Sequence, residues 1–185
     1  MCIRDRPSID INTLKNMTYQ EVALEVISPY ISNEISRIDL KKIIENSYQH
    51  FSHKKIAPVT SIEQNKYILE LFYGPTFAFK DYALQFLGNL FTYALPKASK
   101  KLTVLGATSG DTGSAAIHAF RGKQDINVFI LHPHNRVSEV QRRQMTAVQD
   151  ENIFNIAIKG TFDDCQKIVK ELFIDDELQQ HTSLT

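Results

Sequence analysis

The chain has 185 residues, 43% of them hydrophobic, with 21 basic and 21 acidic side chains and a formal net charge of zero. That size and apolar content suit one ordinary globular domain or at most two small ones, and they exclude a disordered chain. The balanced charge excludes a general nucleic-acid binder, no apolar run approaches the roughly twenty residues of a membrane-spanning helix, and Cys2 and Cys165 are too few for a disulfide framework or a thiolate metal site.

The first six residues, Met1-Cys-Ile-Arg-Asp-Arg6, have no periodicity and no signal-peptide core. They read as adapter-like or disordered sequence, and residues 1–7 are set apart on that ground. Thr18 with Glu21 three residues on is a capping box. It opens a helix through Val22, Val26 and Ile27 that is expected to end near Pro29. Ser36 with Asp39 resembles a second box, followed by Leu40, Ile43, Ile44, Tyr48 and Phe51 at helical spacing. Pro58 closes that unit. Residues 67–72 have strand length and composition, and Gly74-Pro75 is a strong turn signal.

From Asp81 the spacing is helical again, with Phe86, Leu87, Leu90, Phe91, Ala94 and Leu95 as one stripe stopped by Pro96. A regular alternation follows: strand 102–105, small-residue loop 106–113, helix 114–120 with Gly122 as its stop, strand 126–131, a helix opened by Ser138 and Gln141 and running to about Val148, strand 153–158, and a helix capped by Thr161 and Asp164. Asp175-Asp-Glu177 reads as its solvated end. Such alternation implies an α/β fold, a parallel sheet flanked by helices, after a mostly helical N-terminal portion. The expected division is 8–74 for the N-terminal portion and 75–185 for the α/β portion. The last residues, Ser183-Leu-Thr185, lack tail composition, and the chain reads as a fragment open at both ends.

Two segments carry chemistry. In Gly106-Ala-Thr-Ser-Gly-Asp-Thr-Gly113, three glycines allow close backbone approach, and Thr108, Ser109 and Thr112 add hydroxyls. The loop runs from a strand end into a helix N-terminus, where free N–H groups and the helix dipole favour a carboxylate or phosphate. The glycine spacing is neither a Walker loop nor the dinucleotide fingerprint. A tight strand-to-helix turn with a Ser/Thr/Asp cap would use the same residues. In Gly74-Pro-Thr-Phe-Ala-Phe-Lys-Asp81, Lys80 follows apolar residues and precedes a helix start. Both features disfavour a protonated amine and suit a lysine that condenses with an aldehyde. A solvated lysine paired with Asp81 is the plainer alternative.

Together, Lys80 in its Phe-Ala-Phe-Lys-Asp context and the Ala-Thr-Ser-Gly-Asp-Thr-Gly loop resemble threonine synthase, a pyridoxal-phosphate family of the tryptophan-synthase-β-like fold (fold type II). The resemblance extends over a helix at 15–29, the strand end at 129–133 and Lys159-Gly-Thr-Phe-Asp-Asp-Cys-Gln166. It implies that Lys80 holds pyridoxal 5'-phosphate as a Schiff base and shuttles protons as the catalytic residue. It implies that Asp111 contacts the cofactor ring hydroxyl, a position that is often asparagine in relatives. It implies that Thr108, Ser109, Gly110, Thr112 and Gly113 form the loop that receives the substrate carboxylate. The implied reaction converts O-phospho-L-homoserine and water to L-threonine and phosphate, the last step of threonine biosynthesis, in the cytoplasm, with no nucleic-acid or membrane partner and no metal. The glycine-rich loop that cradles the cofactor phosphate lies downstream in relatives and has no match after Gly113, so this piece is expected to be inactive alone. The alternatives are a threonine-synthase-like phospho-lyase, another fold-type-II enzyme such as a cysteine synthase or a threonine/serine dehydratase, and a non-catalytic anion-binding domain.

The remaining features have plain readings. His132 and His134 are expected in a loop rather than at a metal, His50 and His53 at a helix C-terminus, and Arg142 and Arg143 on a solvated helix face.

Overall fold

The computed structural model describes residues 8–31, 33–98 and 101–184, so the readings placed on 1–7 lie outside it. A short 3-10 turn at Ile11–Leu14 precedes α1 (Tyr19–Ile31) and α2 (Arg37–Tyr48), and a hairpin of β1 (Val59–Glu63) and β2 (Lys66–Leu69) follows. Then come α3 (Asp81–Ala98), β3 (Leu102–Ala107), α4 (Asp111–Phe120), β4 (Ile126–Pro133), α5 (Glu139–Thr146), β5 (Ile153–Ile158), α6 (Phe162–Phe173) and α7 (Asp176–His181). The sheet β3-β4-β5 is parallel in that order, with Leu105 opposite Phe129 and Phe129 opposite Phe154.

The helix starts are encoded locally. Thr18 and Glu21 exchange bonds at α1 (2.7 and 3.3 Å), Ser36 accepts from the Asp39 amide at α2, Ser138 from Gln141 at α5, and Thr161 with Asp164 makes a reciprocal capping box at α6. Each satisfies amides that a helix start leaves open. The ends are less legible. Pro29 and Pro96 lie inside α1 and α3, which run on to Ile31 and Ala98. Both prolines sit in the last turn, so each removes one i→i−4 bond near the helix end and only two helical residues follow it. The helix expected from residue 15 begins only at Tyr19, because Asn16 takes a left-handed backbone (φ 68°). Asp175 does not end α6; its side chain caps the separate helix α7 through the Leu178 amide.

The strand expected at 67–72 is β2, and it gains a partner, β1, across a turn in which Asn65 has φ 61°. Nothing in 59–63 alternates clearly, and the turn lacks glycine, so the hairpin leaves no sequence signal. The loop expected at 106–113 is only three residues long: Gly106 and Ala107 complete β3, and Asp111, Thr112 and Gly113 are the first turn of α4. His132 is also corrected. It lies in β4, only 5% exposed, rather than in a loop.

Successive β4 side chains serve opposite faces. Ile126, Val128 and Ile130 pack with Ile117 and Phe120 of α4 and Met145 of α5 in one core. Phe129 and Leu131 face Ile168 and Leu172 of α6. A second core joins α1 and α2 through Leu24, Leu40, Ile44, Tyr48 and Phe51. Helix α3 serves both: Leu84, Leu87, Phe91 and Leu95 pack on the first, Tyr82 and Phe86 on the second. The Asn152 side chain fills the α4–β4 corner, donating to the carbonyls of Phe120 (2.9 Å) and Ile126 (2.7 Å) and accepting from the Gly122 amide (2.9 Å). Gly122 itself, past the end of α4, has the φ of +70° expected of a helix stop.

A candidate active-site cleft

The sequence folds so that its two informative segments meet. Lys80 is the last residue before α3, and Thr112 lies in the first turn of α4. Both line one cleft of about 680 Å³, together with Tyr19 from α1 and Tyr82 from α3. That volume is in the range of small-molecule and cofactor sites. The walls are otherwise apolar, among them Leu69, Leu71 and Leu84.

Lys80 is half-buried, and its Nζ lies 4.3 Å from the centroid of the Phe79 ring. An ammonium over an aromatic face is favourably placed. The pairing with Asp81 is absent: Asp81 turns away, accepting from the Thr76 amide and hydroxyl at 2.8 Å each. Tyr19 and Tyr82 do not compete as bases. Burial raises the Tyr19 phenol above its ordinary value, and burial with the Tyr19 neighbour pushes Tyr82 up to about 12. The Tyr82 hydroxyl instead donates to the Ile56 carbonyl at 2.7 Å. Of the described residues lining the cleft, Lys80 alone carries an amine.

The glycine loop divides its labour. Thr108 is 2% exposed, and its hydroxyl accepts from the Gly110 amide (3.0 Å) and the Gly113 amide (2.9 Å). It therefore builds the turn and offers no hydroxyl to the cleft. Gly110 has φ +148°, a backbone that side chains disfavour, and a Cβ there would lie 2.2 Å from the Gln141 side chain. Ser109 and Thr112 are exposed. Among the described residues nothing accepts from the amides of Ser109, Asp111 and Thr112. Two of those three open N–H groups belong to the first turn of α4, where the dipole favours an anion. The Asp111 carboxylate is taken by the Gln141 side-chain amide, and Gln141 also accepts from the Ser138 hydroxyl at 2.8 Å. Lys80 and Thr112 thus share the cleft, Thr108, Ser109, Gly110 and Gly113 are not among its lining residues, and Asp111 is turned toward α5.

Sequence reasoning missed Tyr19, Tyr82, Gln141 and the Thr76–Asp81 pair. Gln141 reads in the sequence only as part of a helix start, and the contacts that matter here run across elements or across an irregular turn. His53 has local structural contacts, and His132 is buried with its Nδ1 unpartnered among the described residues. His53 accepts from the Lys55 amide at 3.1 Å and lies against the Tyr73 ring, and burial lowers His132 below its ordinary value. Arg142 and Arg143 both bond Glu139 on the solvated face of α5. Among the described residues no group of three or more metal-ligating side chains converges, and no helix is long and apolar enough to cross a membrane.

Residues 4–48 match the family model described as "Threonine synthase N terminus". The chain is 49% identical over 175 residues to threonine synthase of Pseudomonas aeruginosa, covering 95% of this chain and 37% of that protein. It is 36% identical over 186 residues to "Threonine synthase-like 2" of Xenopus laevis, covering 98% of this chain and 39% of that protein. Among solved structures, a "PLP bound Threonine synthase from Brucella melitensis" superposes with a TM-score of 0.91 at 42% identity, covering 97% of this chain and 39% of that one. The chain therefore spans less than two-fifths of the length of these relatives.

Proposed function

Because the chain belongs to the threonine synthase family, as a counterpart of its N-terminal part, we propose that the full-length protein containing it converts O-phospho-L-homoserine and water to L-threonine and phosphate with pyridoxal 5'-phosphate held at Lys80. The observation that carries this reading is the shared cleft. An amine and an open helix N-terminus, from segments some thirty residues apart, line one cavity. The residues fit the cofactor on their own chemistry: a half-buried primary amine for its aldehyde, apolar walls for its ring, and unbonded amides for the carboxylate of an amino acid bound beside it.

When bound, pyridoxal phosphate supplies an electron sink for charge developing on amino-acid carbons. The chain supplies the rest. Lys80 Nζ would anchor the cofactor, and an amine so placed would move protons at the carbons of an amino acid bound beside it. The amides of Ser109 and Thr112, next to Gly110, fix the substrate carboxylate and so align the bonds to be broken. Thr108 and Gly113 hold that loop in shape. For Asp111 to reach the cofactor ring, its bond to Gln141 must be exchanged on binding. The cradle for the cofactor phosphate is assigned to the part of the full-length protein beyond this chain. On the same reading the partner is a small molecule, and the setting is the cytoplasm.

The test uses the chain extended to the full length of its relatives. Borohydride reduction should leave a pyridoxyl group on Lys80, found by mass spectrometry, and Lys80→Ala should abolish it. Incubation with O-phospho-L-homoserine should release phosphate and threonine in equal amounts. Phosphate without threonine would replace the synthase by a phospho-lyase on the same scaffold, and trapped cofactor surviving Lys80→Ala would overturn the assignment of Lys80.

A further inference from the structure

Asp81, the residue after Lys80, has no exposed surface, yet it carries a carboxylate. Both of its oxygens are used by one residue: Oδ2 accepts from the Thr76 amide and Oδ1 from the Thr76 hydroxyl, each at 2.8 Å. Thr76 is itself 5% exposed, and its carbonyl accepts from the Gln144 side chain of α5 at 3.2 Å. A Cβ on Gly74 would lie 2.5 Å from Asp81, so the start of the segment is pressed against its end. Between them Phe77 holds a left-handed backbone at φ 62°, with its amide on the Gly74 carbonyl (3.1 Å), and the residue is 69% exposed. A bulky residue in that region is strained and persists only where its surroundings over-determine it.

This arrangement is an expensive way to close a turn. A buried carboxylate without a cation bonded to it is costly, and two neutral donors offset only part of that cost. Burial accordingly raises the Asp81 carboxyl above its ordinary range, against the Thr76 bonds, the nearby His118 of α4 and the Ala78 amide. The arrangement gains geometry in exchange. With residues 76 and 81 tied together, the backbone of 77–80 has little freedom left, and Lys80 is directed to the cleft while Asp81 is directed to the interior.

We infer that Asp81, acting through its two bonds to Thr76, is a positioning residue that aims Lys80 into the cleft. The inference rests on the reading of Lys80 as the cofactor-anchoring residue. It predicts an effect on the chemistry of Lys80 beyond any loss of stability.

The experiment uses the full-length protein loaded with pyridoxal phosphate. Thr76→Val removes the hydroxyl bond with little change of volume, Asp81→Asn sets an amide against the Thr76 donors, and Thr76→Ser restores the hydroxyl. Three quantities are read: the borohydride-trapped fraction on Lys80, the pH midpoint of the bound cofactor's absorbance, and kcat with KM. In Thr76→Val and Asp81→Asn, kcat should fall about 10- to 100-fold with little change in KM, the scale of an ångström-level misplacement. The absorbance midpoint should move with it. Thr76→Ser should recover most of the rate. Ile43→Ala, a buried α2 substitution away from the cleft, is the control for stability alone. Absence of trapping on Lys80 in the unsubstituted protein would overturn the anchoring assignment and this inference with it. Trapping with an unmoved midpoint in Thr76→Val, or kcat losses that merely match those of Ile43→Ala, would overturn the inference and leave the anchoring assignment standing. Should Asp81→Asn not fold, Thr76→Val and Thr76→Ser still decide.

Discussion

Gly88→Ala is the most discriminating substitution outside the cleft. Gly88 lies in the middle of α3, buried against α4. A Cβ there would meet the Ala119 carbonyl oxygen at 2.5 Å, its carbon at 3.1 Å and its Cβ at 3.3 Å. The obstacle is helix backbone, which cannot swing aside, so the helices must separate by about 0.9 Å to reach the 3.4 Å of ordinary contact. Helix propensity favours alanine by about 1 kcal/mol, while overpacking costs about 1–3 kcal/mol. With backbone as the obstacle the upper part of that range applies, giving a net loss of about 1–2 kcal/mol. The functional effect is larger than the stability effect. Lys80 immediately precedes α3 and Thr112 is in the first turn of α4, so separating the helices widens the spacing of the two groups that share the cleft. A shift near 1 Å is worth up to about a hundredfold in rate. In the full-length protein, thermal unfolding should show a Tm lower by several degrees, and steady-state kinetics a kcat/KM lower by tenfold or more. An unchanged or raised Tm together with kcat/KM within twofold would refute the reasoning, since α3 and α4 would then accommodate a methyl group without moving the cleft.

Three further outcomes are expected. Asn152→Ala leaves the Phe120 and Ile126 carbonyls and the Gly122 amide without their partner and should cost about 1–3 kcal/mol in urea unfolding. Thr161→Ala removes the capping box of α6 and should cost about 1 kcal/mol, with faster hydrogen exchange confined to the first turn of that helix. Hydrogen bonds from Arg142 and Arg143 lower the Glu139 carboxyl to about 2. A depressed carboxyl stabilises the fold above its ordinary value of 4.5 and loses that contribution as pH falls toward 2. Glu139→Gln should therefore flatten the acid limb of the stability profile in that window, and concentrated salt should erase most of the difference because the group is exposed. An identical acid limb in the variant would refute the pairing.

What the sequence reveals follows the range of the interactions involved. The starts of α1, α2, α5 and α6 are legible because Thr18–Glu21, Ser36–Asp39, Ser138–Gln141 and Thr161–Asp164 each act over three residues. The three parallel strands are legible because β4 is buried on both faces and reads as an apolar run. Helix ends at Pro29 and Pro96 are misread by two residues, because the loss of one i→i−4 bond in the last turn does not stop the helix at the proline. The β1–β2 hairpin is invisible because its turn depends on Asn65, and its strands are exposed throughout. In the cleft, Lys80 and the glycine loop stand out by composition. The Thr76–Asp81 tie and the left-handed Phe77 are local but irregular, and the Gln141 bond joins residues thirty apart, so none follows a helix, strand or capping spacing.

The double service of α3 sets its tolerance to sequence change. A helix over one core can drift on its outer side: in α6, Asp163, Asp164, Gln166, Lys167, Lys170, Glu171 and Phe173 are exposed. Over residues 81–96 of α3, only Ala83, Thr92, Ala94 and Pro96 are. A random library should therefore find few permissive positions along it, and these should be Ala83, Thr92, Ala94 and Pro96. Drift in either core also has to pass through the helix that begins beside Lys80. The two halves of this chain are consequently expected to change in step, and grafting the N-terminal half of a distant relative onto this sheet should fail unless α3 travels with it.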